Sequence, residues 1–295
     1  RLPIGTKESI ETFSYESLRR FYKDWYRPDL MALIVVGDIE VGKMKEMVTK
    51  YFEDVPKPSN PRERVVYSLP NHSDTKISSV SDEEAFVNTV QIMYKDLEDT
   101  TPMTTVGDYK SYLIDRLFSS MINARLDELA TSSKPPFLNA YSSYGDGFAR
   151  TKKMYSSNAT STNKESLPTT IKAILTENKR VSEHGFLQSE FDRAKQNILT
   201  SLENQVKEKG KQNSGRLVSQ YIRHFLQSEP IPGIEWEYKT AKNLFDEIKL
   251  EEVSSRINDY IHPENMVVVV QQKEEEGEDI FDDESVLEIM KEVEN

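Results

Sequence analysis

The sequence predicts an α+β fold built on a mainly antiparallel sheet. Three observations carry this. Short β-rich runs cluster at 64–69, 76–81 and 89–95, followed by one long helical stretch. A hairpin pattern at 139–160 is then followed by consecutive helical segments, and a last apolar run at 266–271 closes the order. Runs of strands alternating with runs of helices, rather than strict βαβ alternation, favour antiparallel pairing.

The elements follow from local chemistry. Ser14 caps a helix reaching Tyr26, with Leu18, Phe21, Tyr22 and Trp25 on one face. Arg27-Pro28 ends it, because the residue before proline avoids the helical region. Met31–Val36 is a continuous apolar, β-branched run and reads as a buried strand. A second helix starts at Asp38, with Val41, Met44, Val48 and Phe52 at helical spacing. Pro56, Pro58 and Pro61 then punctuate a linker.

Beyond it, Thr105 to Ala130 has apolar residues at helical spacing throughout, and Pro135-Pro136 stops it. Asn139–Tyr144 and Met154–Thr160 form a hairpin around Gly145-Asp146-Gly147. Ser166 caps a helix with Pro168 in its first turn and Gly185 past its end. Further helices are expected at 187–209, 214–227, 235–246, 250–261 and 284–294. The organisation predicted is a helix–strand–helix piece at 1–61, a larger domain at 62–272 and an acidic tail with a short helix at 273–295. One strand and two helices bury little, so the first piece is expected to pack against further protein.

Composition narrows the function classes. The 295 residues carry a net charge of −12. From Lys273 to Asn295 there are eleven acidic and two basic residues, so −9 sits in the tail and −3 on the rest. No basic patch suits nucleic acid, and no apolar run approaches the roughly 18–20 residues of a membrane span. Cysteine is absent, which excludes disulfides, thiolate metal sites and a cysteine nucleophile.

The four histidines, His72, His184, His224 and His262, lack the spacing of a zinc-protease helix. There is no G-x-S-x-G elbow. Gly145-Asp146-Gly147 is not followed by the Lys-Ser/Thr of a phosphate loop. Glu274-Glu275-Glu276 matches no calcium loop and reads as a solvated acidic segment. The residues supply no catalytic set and no metal site.

Arg1-Leu2-Pro3-Ile4-Gly5, followed by Tyr26–Asp38 in the pattern Y-x-P-x-x-M-x-x-x-x-V-G-D, resembles the pitrilysin (insulinase) family of zinc metallopeptidases, in its long bacterial zinc protease type. Tyr94, the helix through Asn123-Ala124-Arg125-Leu126-Asp127-Glu128-Leu129, and the segment Gly185 to Asn197 with Glu190, Ala194 and Lys195 continue the resemblance. Pro135-Pro136-Phe137 and Pro230–Glu235 also fit, so the match runs from residue 1 to about 270.

The resemblance implies a sheet with helices packed on one face, as in metallopeptidase and mitochondrial-processing-peptidase domains. It implies that 1–61 ends a zinc-carrying first domain whose H-x-x-E-H lies upstream of Arg1, and that 62–272 is the non-catalytic second domain. The family's active pairing places an Arg after R-L-x-x-E-L, where this chain has Ala130. Without that cation nothing there stabilises an anionic tetrahedral centre. Tyr141 stands near the family's tyrosine position and is the one residue assigned to lining the substrate chamber.

The implied function is thus part of the wall of a chamber in which a zinc-dependent endopeptidase cuts peptides. Zinc belongs to the parent protein and none to this stretch. The implied partners are peptide substrates and the remaining domains of the parent, and the implied compartment is the periplasm, with the cytoplasm as alternative. The rival readings are an inactive family-like subunit that scaffolds or binds an active partner, and an unrelated α+β binding domain.

Overall fold

The computed structural model describes residues 4–147, 149–274 and 280–294. The chain divides into two compact units, one of residues 1–66 with 211–231, the other of residues 67–210 with 232–295.

The first unit contains helices α1 (Lys7–Thr12), α2 (Tyr15–Trp25) and α3 (Val41–Phe52). Ser14 Oγ accepts from Ser17 N at the start of α2, as its sequence position predicts. A 3-10 turn at Pro28–Leu30 follows. Arg27 Nη2 donates to Arg62 O at 2.7 Å, and Arg62 pairs with Asp24 at 3.0 Å, so the proline-rich segment folds back on the end of α2.

The strand expected at Met31–Val36 is not formed. Among the described residues the run joins no ladder, and Met31, Leu33 and Val35 are exposed. A strand needs a neighbour for its N–H and C=O groups, and composition supplies β preference without supplying that neighbour. The expected strand at 64–69 is likewise irregular.

The second unit is built on a five-stranded sheet of β1 (Lys76–Asp82), β2 (Thr89–Lys95), β3 (Asn139–Asp146), β4 (Lys153–Thr160) and β5 (Met266–Lys273), in the order β1-β5-β2-β4-β3. β1 runs parallel to β5, and every other pairing is antiparallel. The fold is therefore the α+β class the sequence predicts. Gly145 and Asp146 lie inside β3 rather than in its turn, because pairing continues to Asp146↔Lys153.

Register fixes which residues enter the core. Val268, Ile92, Ser157 and Ser142 face one another across four strands, and the neighbouring rows hold Val270, Val90, Ala159 and Ala140, and Met266, Tyr94, Tyr155 and Tyr144. Against this face pack α4 (Val106–Ala130), α5 (Leu167–His184) and α6 (Gln188–Lys207) with α8 (Ile234–Glu247), α9 (Leu250–Ser254) and α10 (Arg256–Tyr260), forming one continuous core. The sequence reading of one helix over 250–261 becomes two short helices that meet at Ser255.

α4 starts on a full capping box: Thr105 Oγ1 accepts from Asp108 N, and the Asp108 carboxylate accepts from Thr105 N. α5 stops at Gly185, whose φ of +66° favours glycine and where a Cβ would press on Ser254 at 3.0–3.1 Å. In the first unit, α7 (Ser214–Gln227) completes the helices of the 211–231 segment.

The acidic tail ends in α11 (Asp283–Glu294), which is docked rather than solvated. Val286 and Ile289 are buried against the core. Asp283 Oδ1 accepts from Ser79 N at 2.8 Å, on the outer edge of β1, and Lys179 Nζ donates to Val293 O at 2.6 Å. A carboxylate on a free strand edge blocks further pairing there. Glu275 and Glu276 of the acidic run lie outside the described residues.

Asn265 shows how tightly the start of β5 is tied. It is fully buried at φ +60°, a left-handed conformation that asparagine tolerates. Its Oδ1 accepts from His72 N at 2.8 Å, and its Nδ2 donates to Asn71 Oδ1 at 2.9 Å and Asp96 O at 3.2 Å. We expect Asn265→Ala to cost about 2–4 kcal/mol, since it strands buried partners and leaves a Cβ residue at positive φ. Urea unfolding followed by circular dichroism measures it, and a loss under about 1 kcal/mol would contradict this account.

Candidate functional site

Two layers of the second unit bear on function: a polar scaffold among the helices, and the sheet face that carries no helix.

The scaffold uses the residues that carry the family resemblance. Arg125 on α4 donates through Nε and Nη2 to both oxygens of Glu190 on α6, at 2.6 and 2.8 Å. Its Nη1 reaches Glu177 on α5 at 3.1 Å, and Nη2 also donates to Gly185 O at 3.1 Å. The guanidinium lies 4.8 Å from the centroid of the Phe186 ring. One planar cation thus joins three helices and the α5–α6 turn, a geometry suited to Arg and not to Lys.

The Glu190 carboxyl sits below the usual glutamate range. Partial burial pulls it up, but hydrogen bonds from Arg125 and from Leu187 N outweigh that. Asn123 Oδ1 accepts from Ser142 N at 2.8 Å and its Nδ2 donates to Ser142 O at 2.7 Å, clamping α4 to the middle of β3. Ala194 is buried in the core, and Lys195 donates to Phe245 O. These residues build architecture. They hold no reacting group.

The opposite sheet face carries no helix of this unit and is partly exposed, although Met93 and Ser156 on it are buried. Side chains alternate along a strand, so the residues between the core rows point away from the helices. Following the register, Ser78, Val269, Gln91, Asn158 and Tyr141 form one row across all five strands. Val80, Gln271, Thr89, Thr160 and Asn139 form the next, and Lys76, Val267, Met93, Ser156 and Ser143 the third. Lys76, on the edge, is the one charged residue in these three rows. With Lys76, and with Asp82, Lys273 and Lys95 at the ends of the same face, the surface carries few charges; between them it is polar and hydrogen-bond-capable, with small apolar patches.

The structure separates the two positions singled out from sequence. Tyr141 lies on β3, the edge strand of the helix-free face, and is 56% exposed. Ala130 is the last residue of α4 and packs against the core on the helical side.

The histidines do not converge on one centre. His72 Nδ1 lies 2.7 Å from Asp74 O, His184 is exposed at the end of α5, His224 Nδ1 lies 2.7 Å from Glu229 O, and the His262 ring packs edge-on to Tyr94. Among the described residues, no group of three or more His, Asp or Glu side chains is placed to hold a metal ion. The described residues therefore do not assemble a zinc-ligand set, and no chemistry is routed through one here. No helix among the described residues is long and apolar enough to cross a membrane.

Sequence reasoning found Arg125 and Glu190 as motif members and did not find their pairing or the third partner, Glu177. A glutamate inside a helical repeat carries no mark of burial, yet Glu177 is 3% exposed.

Comparison with known proteins follows this geometry. The model of the peptidase M16 inactive domain matches residues 12–198. A zinc protease PQQL-like protein of Arabidopsis thaliana is 29% identical over 255 residues, covering 86% of this chain and 23% of the relative. The probable zinc protease PqqL of Escherichia coli K12 is 25% identical over 264 residues, covering 87% and 27%. The chain thus spans about a quarter of the length of these relatives. The crystal structure of the first half of the periplasmic protease PqqL from Escherichia coli superimposes with a TM-score of 0.85 at 20% identity, over 100% of this chain and 62% of that one. The family model spans well over half of the chain, and the chain belongs to the peptidase M16 inactive domain family.

Proposed function

We propose that this chain forms a non-catalytic part of the wall of a peptide-hydrolysing chamber in a longer, zinc-dependent metalloendopeptidase. The observation that carries the reading is the asymmetry of the sheet: one face buried under helices, the other without a helix, exposed at Tyr141, Asn139, Ser78 and Gln271, and with one charged residue across three rows. Such a face wets and contacts an unfolded peptide through side-chain hydrogen bonds without trapping it by charge. Tyr141, exposed on that face, lines the chamber and touches substrate.

In this reading the stretch to residue 61 completes the zinc-carrying domain, residues 62–272 are the second domain and 273–295 its terminal segment. The zinc ligands and the general base lie in the preceding domain. The exposed apolar side chains of α2 and of Met31–Val35 are surfaces for that domain. The naming of relatives as zinc proteases supports the metal, and the periplasmic description of the Escherichia coli protein supports a periplasmic location for the parent.

The test compares this chain with the longer protein. The chain alone is expected to bind no stoichiometric zinc and to cut no peptide, while the longer protein does both. In the longer protein, an environment-sensitive fluorophore on Tyr141→Cys should respond to saturation with an uncleaved peptide. Stoichiometric zinc with hydrolysis by this chain would sink the reading. A fluorophore at position 141 that is indifferent to peptide would remove Tyr141 from the chamber.

A further inference from the structure

On the helical side, where β2 and β3 end and β4 and β5 begin, a cleft of ≈ 420 Å³ opens between the loop after β2, the first half of α4 and the end of α10. It falls within the roughly 300–1,000 Å³ range of small-molecule sites. Its lining is far more acidic than the helix-free sheet face. Five carboxylates, Asp96, Glu98, Asp108, Asp115 and Asp259, line it against two resident cations, Lys153 and Arg256.

The two deepest acids are tied to a tyrosine pair. Tyr260 OH donates to Asp115 Oδ1 at 2.6 Å, and Tyr144 OH donates to Asp96 Oδ2 at 2.6 Å. The two rings stack at 4.3 Å. Asp115 is under-compensated. Arg256 Nε lies 3.3 Å from its Oδ1, but that N–H is aligned with no protein acceptor, and Nη1 is drawn off to Asp259 at 3.2 Å. Burial accordingly pushes the Asp115 carboxyl above its usual range, despite the Tyr260 hydrogen bond and the Arg256 charge.

The walls suit a cation on an aliphatic stem. The chain's own cations already sit over two of the rings, Lys153 5.7 Å from the Tyr144 centroid and Arg116 5.7 Å from that of Tyr112. Leu97, Pro102 and Met103 add an apolar side to the cleft. A buried carboxylate lacking a well-aligned counter-charge gains most from a desolvated ammonium or guanidinium.

We propose that this cleft binds an organic cation on an aliphatic stem, a lysine- or arginine-like group, with Asp115 and Asp96 facing the charge and Met103 beside the stem. The bearer is a basic peptide side chain or a free alkyl diamine, which share this chemistry. The inference does not depend on the chamber reading.

The test is a titration of the 295-residue chain, carrying methyl-labelled methionine, with N-acetyl-lysine methylamide, pentane-1,5-diamine and the neutral N-acetyl-norleucine methylamide. Saturable shifts of the Met103 methyl are expected with at least one of the two cations and not with the neutral analogue. If the lysine derivative alone binds, the bearer is a peptide; if the diamine alone binds, it is a free amine. Asp115→Asn, which keeps an acceptor for Tyr260, should weaken binding at least about tenfold, whereas Lys153→Gln, which removes a competing resident cation, should tighten it. Equal binding of the neutral analogue, the absence of any Met103 response to either cation, or tighter binding absent in Lys153→Gln would overturn the proposal, the last even if Asp115→Asn fails to fold.

Discussion

Replacing Arg125 by methionine is expected to destabilise the second unit by about 3–5 kcal/mol, the usual cost of removing one partner from a buried ion pair. The reason is what remains behind. Glu177, 3% exposed, and Glu190, partly buried, would face each other without their shared cation, and Gly185 O would lose its donor. Arg180 reaches Glu177 at 3.1 Å from the surface and offsets little of this. For a unit of this size the loss corresponds to a fall in Tm on the order of 10 °C. Arg125→Lys should recover only part, because an ammonium cannot chelate both Glu190 oxygens while reaching α5. Differential scanning calorimetry of both variants decides the matter, and a methionine variant within 1 °C of the parent chain would refute the clamp.

The same clamp gives a pH dependence of definite sign. The Glu190 carboxyl is depressed in the folded state, chiefly by Arg125 and Leu187 N acting against burial. Its contribution is therefore present above the ordinary glutamate pKa of about 4.3 and is lost as pH falls through the depressed folded value. Arg125→Met should remove this part of the acid transition, so the two stability curves should converge as pH falls below about 4.

Phe118→Ala is the second large loss, expected at about 3–5 kcal/mol. Phe118 is fully buried on α4 and meets three rings edge-to-face: Tyr155 at 5.9 Å, Phe186 at 5.4 Å and Tyr260 at 5.1 Å. These belong to β4, to the α5–α6 turn and to α10, so truncation opens a cavity where three elements meet, and each edge-to-face pair is worth about 0.5–1.5 kcal/mol beyond its buried area. Phe118→Leu keeps most of the volume and should cost clearly less. Phe186 contacts both Phe118 and the Arg125 guanidinium, so the double variant Arg125→Met, Phe118→Ala should depart from additivity by more than about 0.5 kcal/mol. Strict additivity would show that the ring cluster and the ion pairs act independently.

Periodicity and caps were enough to place most elements of the second unit. Apolar residues at helical spacing mark α4 from Thr105 to Ala130, and the β-rich run at Thr89–Lys95 gives β2 its observed bounds. These are local rules, satisfied by a few neighbouring residues, and they stay legible without a partner. Met31–Val36 failed for the complementary reason: its residues prefer extended backbone, but a ladder needs a second strand. The docking of α11 was hidden in the same way. Its net acidity suits a linker and a solvated terminus equally, while Val286 and Ile289 found a site on α5 and β1 that no local pattern announces.

The candidate sites divide along this line. By itself the sequence determined the fold class, the lack of a cysteine or a zinc-binding histidine motif, and the family resemblance carried by residues such as Arg125 and Glu190. The tertiary structure alone decided that those residues are a clamp, that Tyr141 stands on the helix-free face with Asn158, Gln91, Val269 and Ser78, and that Asp115, Tyr260 and Arg256 share one cleft. Each of these arrangements joins positions far apart in the chain. Strand register and helix packing bring them together, and both are set by burial of the whole core rather than by any window of sequence.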